Sequence, residues 1–187
     1  MTDHFGNPLL EQRKLLAGEA FVQRSDQGVI EIVGSDAKSW LHSLLSQNIL
    51  NLESGMSTEA LLLTPQGHVE QQLKIIATDQ GVLVIVAASK LEAMLAWLTK
   101  MIFRSKVDVS KRKDLVCIGG FFDFDEPFWV DGFSLESKFS VRYAESREEF
   151  AYREYLTDSV PTDLAPAGLL AYQALRIAVG RPEIDDI

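Results

Sequence analysis

The sequence has very few cysteines and histidines. It contains one cysteine, Cys117, which excludes an internal disulfide and fits a reducing compartment. Its three histidines, His4, His42 and His68, lie far apart, whereas zinc ligands are closely spaced or brought together by the fold. The sequence therefore predicts no metal site. Cys117 follows and precedes apolar β-branched residues, so we expect it to be a buried core residue.

Signals for export and for membrane insertion are also missing. The opening residues, Met-Thr-Asp-His-Phe-Gly, lack the basic segment and the apolar run of a signal peptide. No apolar segment approaches the roughly 20 residues that span a bilayer. Together with the single cysteine, these absences predict a cytoplasmic protein.

Positive charge is scarce. The chain has 18 lysines and arginines against 27 acidic residues, which gives a net charge of −9 at pH 7. An acidic surface repels nucleic-acid phosphates and anionic lipids, so we expect neither nucleic acid nor a membrane as a partner. With 187 residues, 47% of them hydrophobic, the chain can bury a core as one large domain or two small ones.

Familiar catalytic and nucleotide-binding motifs are absent. The sequence has no nucleophile elbow, no P-loop and no dinucleotide fingerprint. Asp123, Asp125 and Glu126 form an acidic cluster, but it lacks the glycine and the terminal glutamate of a calcium loop. A solvated acidic loop is the favoured interpretation, and the sequence predicts no catalytic residues.

What the sequence does have is a regular succession of strand and helix patterns over residues 19–110. A β-rich run at 29–33 precedes a helix for which Ser35 is the predicted N-cap. Two apolar strands, 59–63 and 69–76, flank a polar turn and predict a hairpin. A strand at 82–86, a helix with the capping box Ser89 and Glu92, and a strand at 106–109 complete this first predicted subdomain.

Residues 111–187 predict a second subdomain of the same class. Strand patterns occur at 115–119, 139–143 and 150–156. The last helix has Pro166 in its predicted first turn and Gly180 at its end. Because the chain stops shortly after this helix, we expect the second subdomain to be incomplete at its C-terminus. The predicted fold class is α+β, with antiparallel or mixed sheets and helices packed on one face.

The turn between the two hairpin strands is the best candidate for a binding site. It contains Gln66, Gly67 and His68, and glycine allows a positive φ or a close approach of a ligand. Polar groups that converge on an apolar pocket are typical of small-molecule sites. The residues themselves leave two interpretations open, a binding turn and a hairpin tip with no role.

Several short motifs, in this order and spacing, resemble the YgfZ family. They are WLHSLLSQNI, then Gly55, then ALLLTPQGHVEQQL, and finally ALRIAVGRPEID near the C-terminus. This family is a folate-binding branch of the aminomethyltransferase (GcvT-like) superfamily. The resemblance covers most of 19–110 and 165–185. It implies a GcvT/YgfZ-like folate-binding fold whose C-terminal part, with the family motif K-G-C-Y-x-G-Q-E, is absent from this chain.

The resemblance also implies a ligand and a set of residues near it. The ligand is tetrahydrofolate or a one-carbon derivative, and the implied partners are iron–sulfur proteins, whose assembly or maintenance the family supports. By position, Asn48, Gln66, Gly67 and Arg176 fall in the family's folate-associated motifs. Gln72 stands where an acidic residue is common, and it completes the predicted folate-binding set.

Departures from the aminomethyltransferase pattern bear on catalysis. The transferases have a pair of aspartates where this chain has Gln71 and Gln72, and a glutamine cannot act as an ionised carboxylate. Ala87 and Ala178 replace two further polar residues. The resemblance therefore implies an accessory folate-binding protein. Two alternatives stay open: a folate-dependent aminomethyltransferase, which would need a carboxylate supplied from elsewhere, and a protein-interaction module that has lost folate binding.

Overall fold

The structure is a computed structural model that describes residues 2–132 and 150–183. Its helices and strands follow in chain order: α1 Pro8–Leu16, β1 Ala20–Gln23, β2 Gln27–Val33, α2 Ala37–His42, β3 Ser57–Leu63, β4 Val69–Ala77, β5 Gly81–Ala87, α3 Leu91–Met101, β6 Asp108–Arg112, β7 Val116–Gly120, β8 Phe128–Val130, β9 Arg153–Thr157, β10 Ala165–Ala167 and α4 Leu169–Ala178. The predicted strand at 139–143 lies outside the described residues.

Two compact units divide the chain. One is the continuous segment Asp26–Asp114, which we call the hairpin unit, and the other joins Met1–Ser25 to Leu115–Ile187, which we call the terminal unit. Each contains one five-stranded sheet, and both are α+β, which confirms the predicted fold class. The predicted subdomains 19–110 and 111–187 stay a prediction as folding units. Strand β1, inside the first of those ranges, lies in the sheet of the terminal unit.

The hairpin unit has an antiparallel sheet in the order β3-β4-β5-β2-β6. Its central strand, β5, is buried along nearly its whole length, as its apolar sequence predicts. Helix α3 buries Leu91, Met94 and Leu98, and the side chain of Leu91 fills the space beside Gly28 of β2. Helix α3 therefore covers one face of this sheet. Because successive side chains of a strand point to opposite faces, every second residue of each strand lies on the other face.

The terminal unit has a mixed sheet in the order β10-β1-β7-β9-β8. Its only parallel pairing among the described strands joins β1 to β10. Helices α1 and α4 pack together through a core that contains Leu15, Ala20 and Ala171. Cys117, on β7, is buried as predicted.

Helix starts differ from the predicted caps. Asp36, not Ser35, precedes α2, and the Ser35 hydroxyl donates to the Asp36 carboxylate. The Asp36 carboxylate also accepts the backbone N–H of Lys106 at 2.8 Å. The Asp36 carboxylate thus binds the chain that enters β6, and the Ser35 hydroxyl binds Asp36. Because both side chains have these partners, neither caps α2.

The predicted capping box at α3 is not formed. A 3-10 turn over Ala88–Lys90 precedes the helix, and no side chain caps it. The Glu92 carboxylate instead lies 2.5 Å from the Lys111 ammonium of β6. The charged Lys111 thus binds Glu92 in place of the backbone N–H that a capping box would provide.

Pro166 was wrongly predicted to open the last helix. It lies in β10, at the edge of the sheet, where a residue without an N–H is tolerated. Helix α4 begins at Leu169, and the backbone N–H groups of Leu169 and Leu170 donate to the carbonyls of Thr2 and Asp3. The chain near the N-terminus therefore satisfies the helix start that a capping side chain would otherwise satisfy.

Candidate functional site

A bulge in the β3–β4 hairpin decides which polar side chains meet. Leu63 pairs with Val69, but the preceding residue of β3, Leu62, pairs with Gln71, so Glu70 is an extra residue on β4. A shift of one residue moves every later side chain of a strand to the other face. The bulge therefore places Gln71 opposite Leu62 and Gln72 opposite Leu61, and so sets which side chains of β3 share a face with each glutamine.

Gln72 lies beside a carboxylate on the neighbouring strand. Its side-chain Nε2 donates to Oε1 of Glu59 at 2.8 Å, and both side chains are half-buried. The sequence analysis did not single out Glu59.

Glu59 and Gln72 belong to one face of the hairpin, which we call the Glu59 face. In register, Glu59 is opposite Lys74 and Leu61 is opposite Gln72, so these four side chains share that face. Ile76 follows on the same side and is buried, as is Lys74. On the Glu59 face, Glu59, Leu61 and Gln72 are therefore the partly accessible side chains of this set.

Gln66 and Gly67 form the exposed tip of the same hairpin. Gly67 has a φ of 85°, a conformation that glycine adopts without strain, and no atom would contact a Cβ placed there. Its N–H donates to the Thr64 carbonyl, and Thr64 and His68 close the turn. The tip is therefore a well-formed turn with open space beside Gly67, and Gly67 precedes Gln72 by five positions in the chain.

Asn48 lies in the segment that runs along the outer edge of β3. Two residues before it, the N–H of Ser46 donates to the Leu61 carbonyl, and the Ser46 hydroxyl accepts the Leu61 N–H. Asn48 itself is exposed, and its side-chain oxygen accepts the N–H of Leu50. The structure thus brings Asn48, Gln66, Gly67 and Gln72 into one hairpin and its flanking segment.

Arg176 lies in the terminal unit, on α4. It is 4% exposed, and its Nη1 donates to the carbonyl of Arg181 at 2.8 Å. Its Nε is 3.6 Å from a carboxylate oxygen of Glu183. These contacts hold the segment after α4 and give Arg176 a structural role; its predicted part in folate binding stays a prediction, as do those of the other four residues.

Gln71 lines a different feature, an open cleft between β3, β4 and α3. The cleft has a volume of about 330 Å³, and its walls are formed by Leu62, Glu70, Gln71, Lys90, Ala93, Met94 and Trp97. Trp97 is half-buried there, although its place on the helical stripe predicted a core residue. The two adjacent glutamines thus face different environments, and only Gln72 joins a carboxylate on the Glu59 face.

The terminal unit contains a buried network of charges that the sequence analysis missed. Arg24 and Glu154 are both fully buried, with Nη1 and Oε1 2.5 Å apart. The Arg24 guanidinium also lies 4.3 Å from the ring centroid of Tyr172, whose hydroxyl donates to Glu183. Burial raises the pKa of the Tyr172 phenol well above its usual value.

The described residues offer little to a metal ion or a bilayer. Within residues 2–132 and 150–183, no three histidine, cysteine or acidic side chains are grouped as metal ligands would be. In the same part of the chain, every helix falls short of the length and apolar character that crossing a membrane requires.

Comparison with known proteins finds aminomethyltransferases. The chain is 31% identical to an aminomethyltransferase of Chromobacterium violaceum over 121 residues, which cover 63% of this chain and 33% of that protein. It is 26% identical to an aminomethyltransferase of Nitrosococcus oceani over 117 residues, which cover 62% of this chain and 32% of that protein. No protein-family model matches the sequence. The matched stretch thus spans about a third of each of these relatives.

A solved aminomethyltransferase structure has a similar fold. The glycine cleavage system aminomethyltransferase T of Bartonella henselae matches 93% of this chain with a TM-score of 0.70 and 16% sequence identity. The match covers 54% of that protein. The sequence and fold comparisons together support a relationship to the aminomethyltransferase superfamily, which the sequence analysis predicted; they do not identify the YgfZ branch.

Proposed function

We propose that this chain binds tetrahydrofolate or a one-carbon derivative and acts as an accessory protein of the YgfZ type. The observation that carries the proposal is the half-buried Glu59–Gln72 pair on the β3–β4 hairpin. The fold of the chain resembles that of aminomethyltransferase T. Similarity to aminomethyltransferases supports folate as the ligand class.

The residues of the Glu59 face suit a reduced folate. The pterin ring is flat and has N–H donors along its edge, so it needs apolar contact area together with hydrogen-bond acceptors. The half-buried Leu61 would supply apolar area, while the Glu59 carboxylate would supply acceptor oxygens. Gln66, Gly67 and Asn48 would border the ligand from the hairpin tip and the edge of β3.

A thermal shift tests binding on the whole chain. A ligand that binds only the folded state stabilises it by RT ln(1 + [L]/Kd), so tetrahydrofolate at 100 times its Kd should add about 2.7 kcal/mol. We expect the melting temperature to rise with tetrahydrofolate concentration under anaerobic conditions. The tail fragment p-aminobenzoylglutamate should give a smaller rise, since it lacks the pterin. No rise with tetrahydrofolate up to millimolar concentration would contradict the proposal.

The accessory role concerns iron–sulfur enzymes. Cells that lack this protein should lose activity of iron–sulfur enzymes, and the wild-type gene should restore it. A gene encoding a folate-binding-deficient variant should fail to restore it if folate is part of the role. Full restoration by that variant would instead favour the interaction module that has lost folate binding.

A folate-dependent aminomethyltransferase is the second candidate. Its supporting observation is the match to curated aminomethyltransferases, and Glu59 gives the hairpin the carboxylate that Gln71 and Gln72 cannot. Transfer of the methylene carbon from an aminomethylated carrier to tetrahydrofolate, with release of the amino group as ammonia, would support this candidate. Folate binding without such turnover would favour the accessory role.

A further inference from the structure

We propose that the open cleft between β3, β4 and α3 binds a small zwitterion with an aromatic body, of the class of the free aromatic α-amino acids. The Glu70 carboxylate would bind the ammonium group of this ligand, and the Lys90 ammonium would bind its carboxylate. The residues that line the cleft are not those of the Glu59 face, so this inference goes beyond the proposed folate site and does not depend on it.

The bulge in β4 explains how two neighbouring residues of that strand both line the cleft. Successive side chains of a regular strand point to opposite faces, yet Glu70 and Gln71 both belong to the cleft. Glu70 is the extra residue of the bulge, and bulges re-aim side chains and are common beside active sites. The bulge therefore places a carboxylate next to the Gln71 amide on the wall that the hairpin forms.

The two walls of the cleft carry opposite charges. Glu70 lies on the hairpin wall, whereas Lys90 ends the turn that precedes α3 on the facing wall. Both side chains are exposed, and within the described part of the chain neither forms an ion pair or a side-chain hydrogen bond. The same holds for the Gln71 amide. A ligand that carries both charges would complement both walls at once.

Apolar side chains supply contact area for the aromatic body. Leu62 and Met94 are buried residues that line the cleft, and the half-buried Trp97 adds an indole ring. Thioether and indole groups both make favourable contacts with aromatic rings. The volume of about 330 Å³ lies near the lower end of the range for small-molecule sites, roughly 300–1,000 Å³, so the cleft suits a ligand of the size of one amino acid.

Tryptophan fluorescence gives a readout that is specific to the cleft. Trp40 and Trp129 are buried, whereas Trp97 is half-buried and lines the cleft. We expect titration of the whole chain with L-phenylalanine to give a saturable change in tryptophan emission, which Trp97→Phe should abolish, and saturable heat in calorimetry. Neither signal up to the solubility limit of L-phenylalanine would overturn the inference.

Matched ligands and variants assign each charge. Phenethylamine lacks the carboxylate and 3-phenylpropionate lacks the ammonium group, so each should bind about 3- to 10-fold more weakly than L-phenylalanine. Lys90→Gln should remove the advantage of L-phenylalanine over phenethylamine, and Glu70→Gln should remove its advantage over 3-phenylpropionate. Lys100→Gln, at an exposed position of α3 outside the cleft, is the control and should keep both advantages. Unchanged preferences in Lys90→Gln and Glu70→Gln would overturn the assignment.

A further variant fills the cleft without removing a charge. Ala93 is an exposed residue of α3 that lines the cleft, and glutamine is also a good helix former, so Ala93→Gln should fold normally. We expect it to melt cooperatively and to lose L-phenylalanine binding. Wild-type affinity in a folded Ala93→Gln would place the ligand elsewhere and overturn the inference. Binding of p-aminobenzoylglutamate that Ala93→Gln abolishes, without any binding of L-phenylalanine, would also overturn it and assign the cleft to the folate tail.

Discussion

Gln72 and Glu59 are joined by a hydrogen bond of 2.8 Å between neighbouring strands of one hairpin. The resemblance to folate proteins placed an acidic residue at position 72, where this chain has glutamine. The structure supplies a carboxylate next to that position, from a residue on the adjacent strand. In this chain the carboxylate beside position 72 therefore comes from Glu59.

The first prediction concerns a second negative charge in this pair. Gln72→Glu alone would place two carboxylates side by side, and like charges disfavour joint ionisation. We expect this variant to melt at a lower temperature than the wild type at pH 7 and to recover as the pH falls toward 5. A circular-dichroism melt at both pH values measures the effect; the double exchange with Glu59→Gln, which has one carboxylate, should lack this pH dependence.

Arg176→Ala separates two roles of one residue. The Arg176 guanidinium is buried and holds the carbonyl of Arg181, so we expect its removal to cost about 2 kcal/mol of unfolding free energy. Urea denaturation measures this cost. If Arg176 also contacts folate, tetrahydrofolate affinity should fall at temperatures where the variant is fully folded, and an unchanged affinity would assign the residue to the structure alone.

The buried pair of Arg24 and Glu154 should be costly to break. Arg24→Met leaves a fully buried carboxylate without its main partner, and we expect a loss of about 3–5 kcal/mol in urea unfolding. Substituting both residues with methionine should recover most of that loss, since neither charge of the pair remains buried. Lys111→Gln, at the half-exposed pair with Glu92, is the control and should change stability little. Equal losses in Arg24→Met and the control would contradict this account.

Alkaline titration should reveal the buried tyrosines. Burial raises the pKa of the Tyr152, Tyr155 and Tyr172 phenols, because the charged form is disfavoured in the folded state. Their contribution to stability is therefore complete below pH 10 and is lost as the pH rises above it. We expect absorbance at 295 nm to rise together with loss of the circular-dichroism signal. Ionisation of all tyrosines near pH 10 in a folded protein would refute this expectation.

Tyr152 offers a further stability test. Its hydroxyl is buried and has no hydrogen-bond partner among the described residues. A buried donor without a partner is costly, so Tyr152→Phe should raise the unfolding free energy by about 1 kcal/mol. Tyr155→Phe is the control, since the Tyr155 hydroxyl donates to the Phe122 carbonyl, and it should lower stability. A destabilised Tyr152→Phe would show that the hydroxyl is satisfied in solution.

Much of the hairpin unit could be predicted because local signals and burial agree there. Strand β5 is apolar throughout and is buried on both faces, and the two strands around Gly67 pair as their sequence indicates. The bulge at Glu70 could not be predicted. Without it, Glu59 would pair with Leu73 and share a face with Gln71, so the partner of Gln72 would have been misplaced.

Non-local contacts account for the other differences. Pro166 reads as the first turn of a helix, but pairing with β1 places it in an edge strand. Arg24 and Glu154 are 130 positions apart, and no periodic pattern indicates that they meet. Local sequence favours caps and turns, while the buried ion pair depends on how distant strands are arranged.

The central claim, that the chain binds a reduced folate, is tested most directly by anaerobic calorimetric titration of the 187-residue chain with tetrahydrofolate. We expect saturable heat with a one-to-one stoichiometry at micromolar ligand. Absence of saturable heat with millimolar tetrahydrofolate, from a protein that still melts cooperatively, would contradict it.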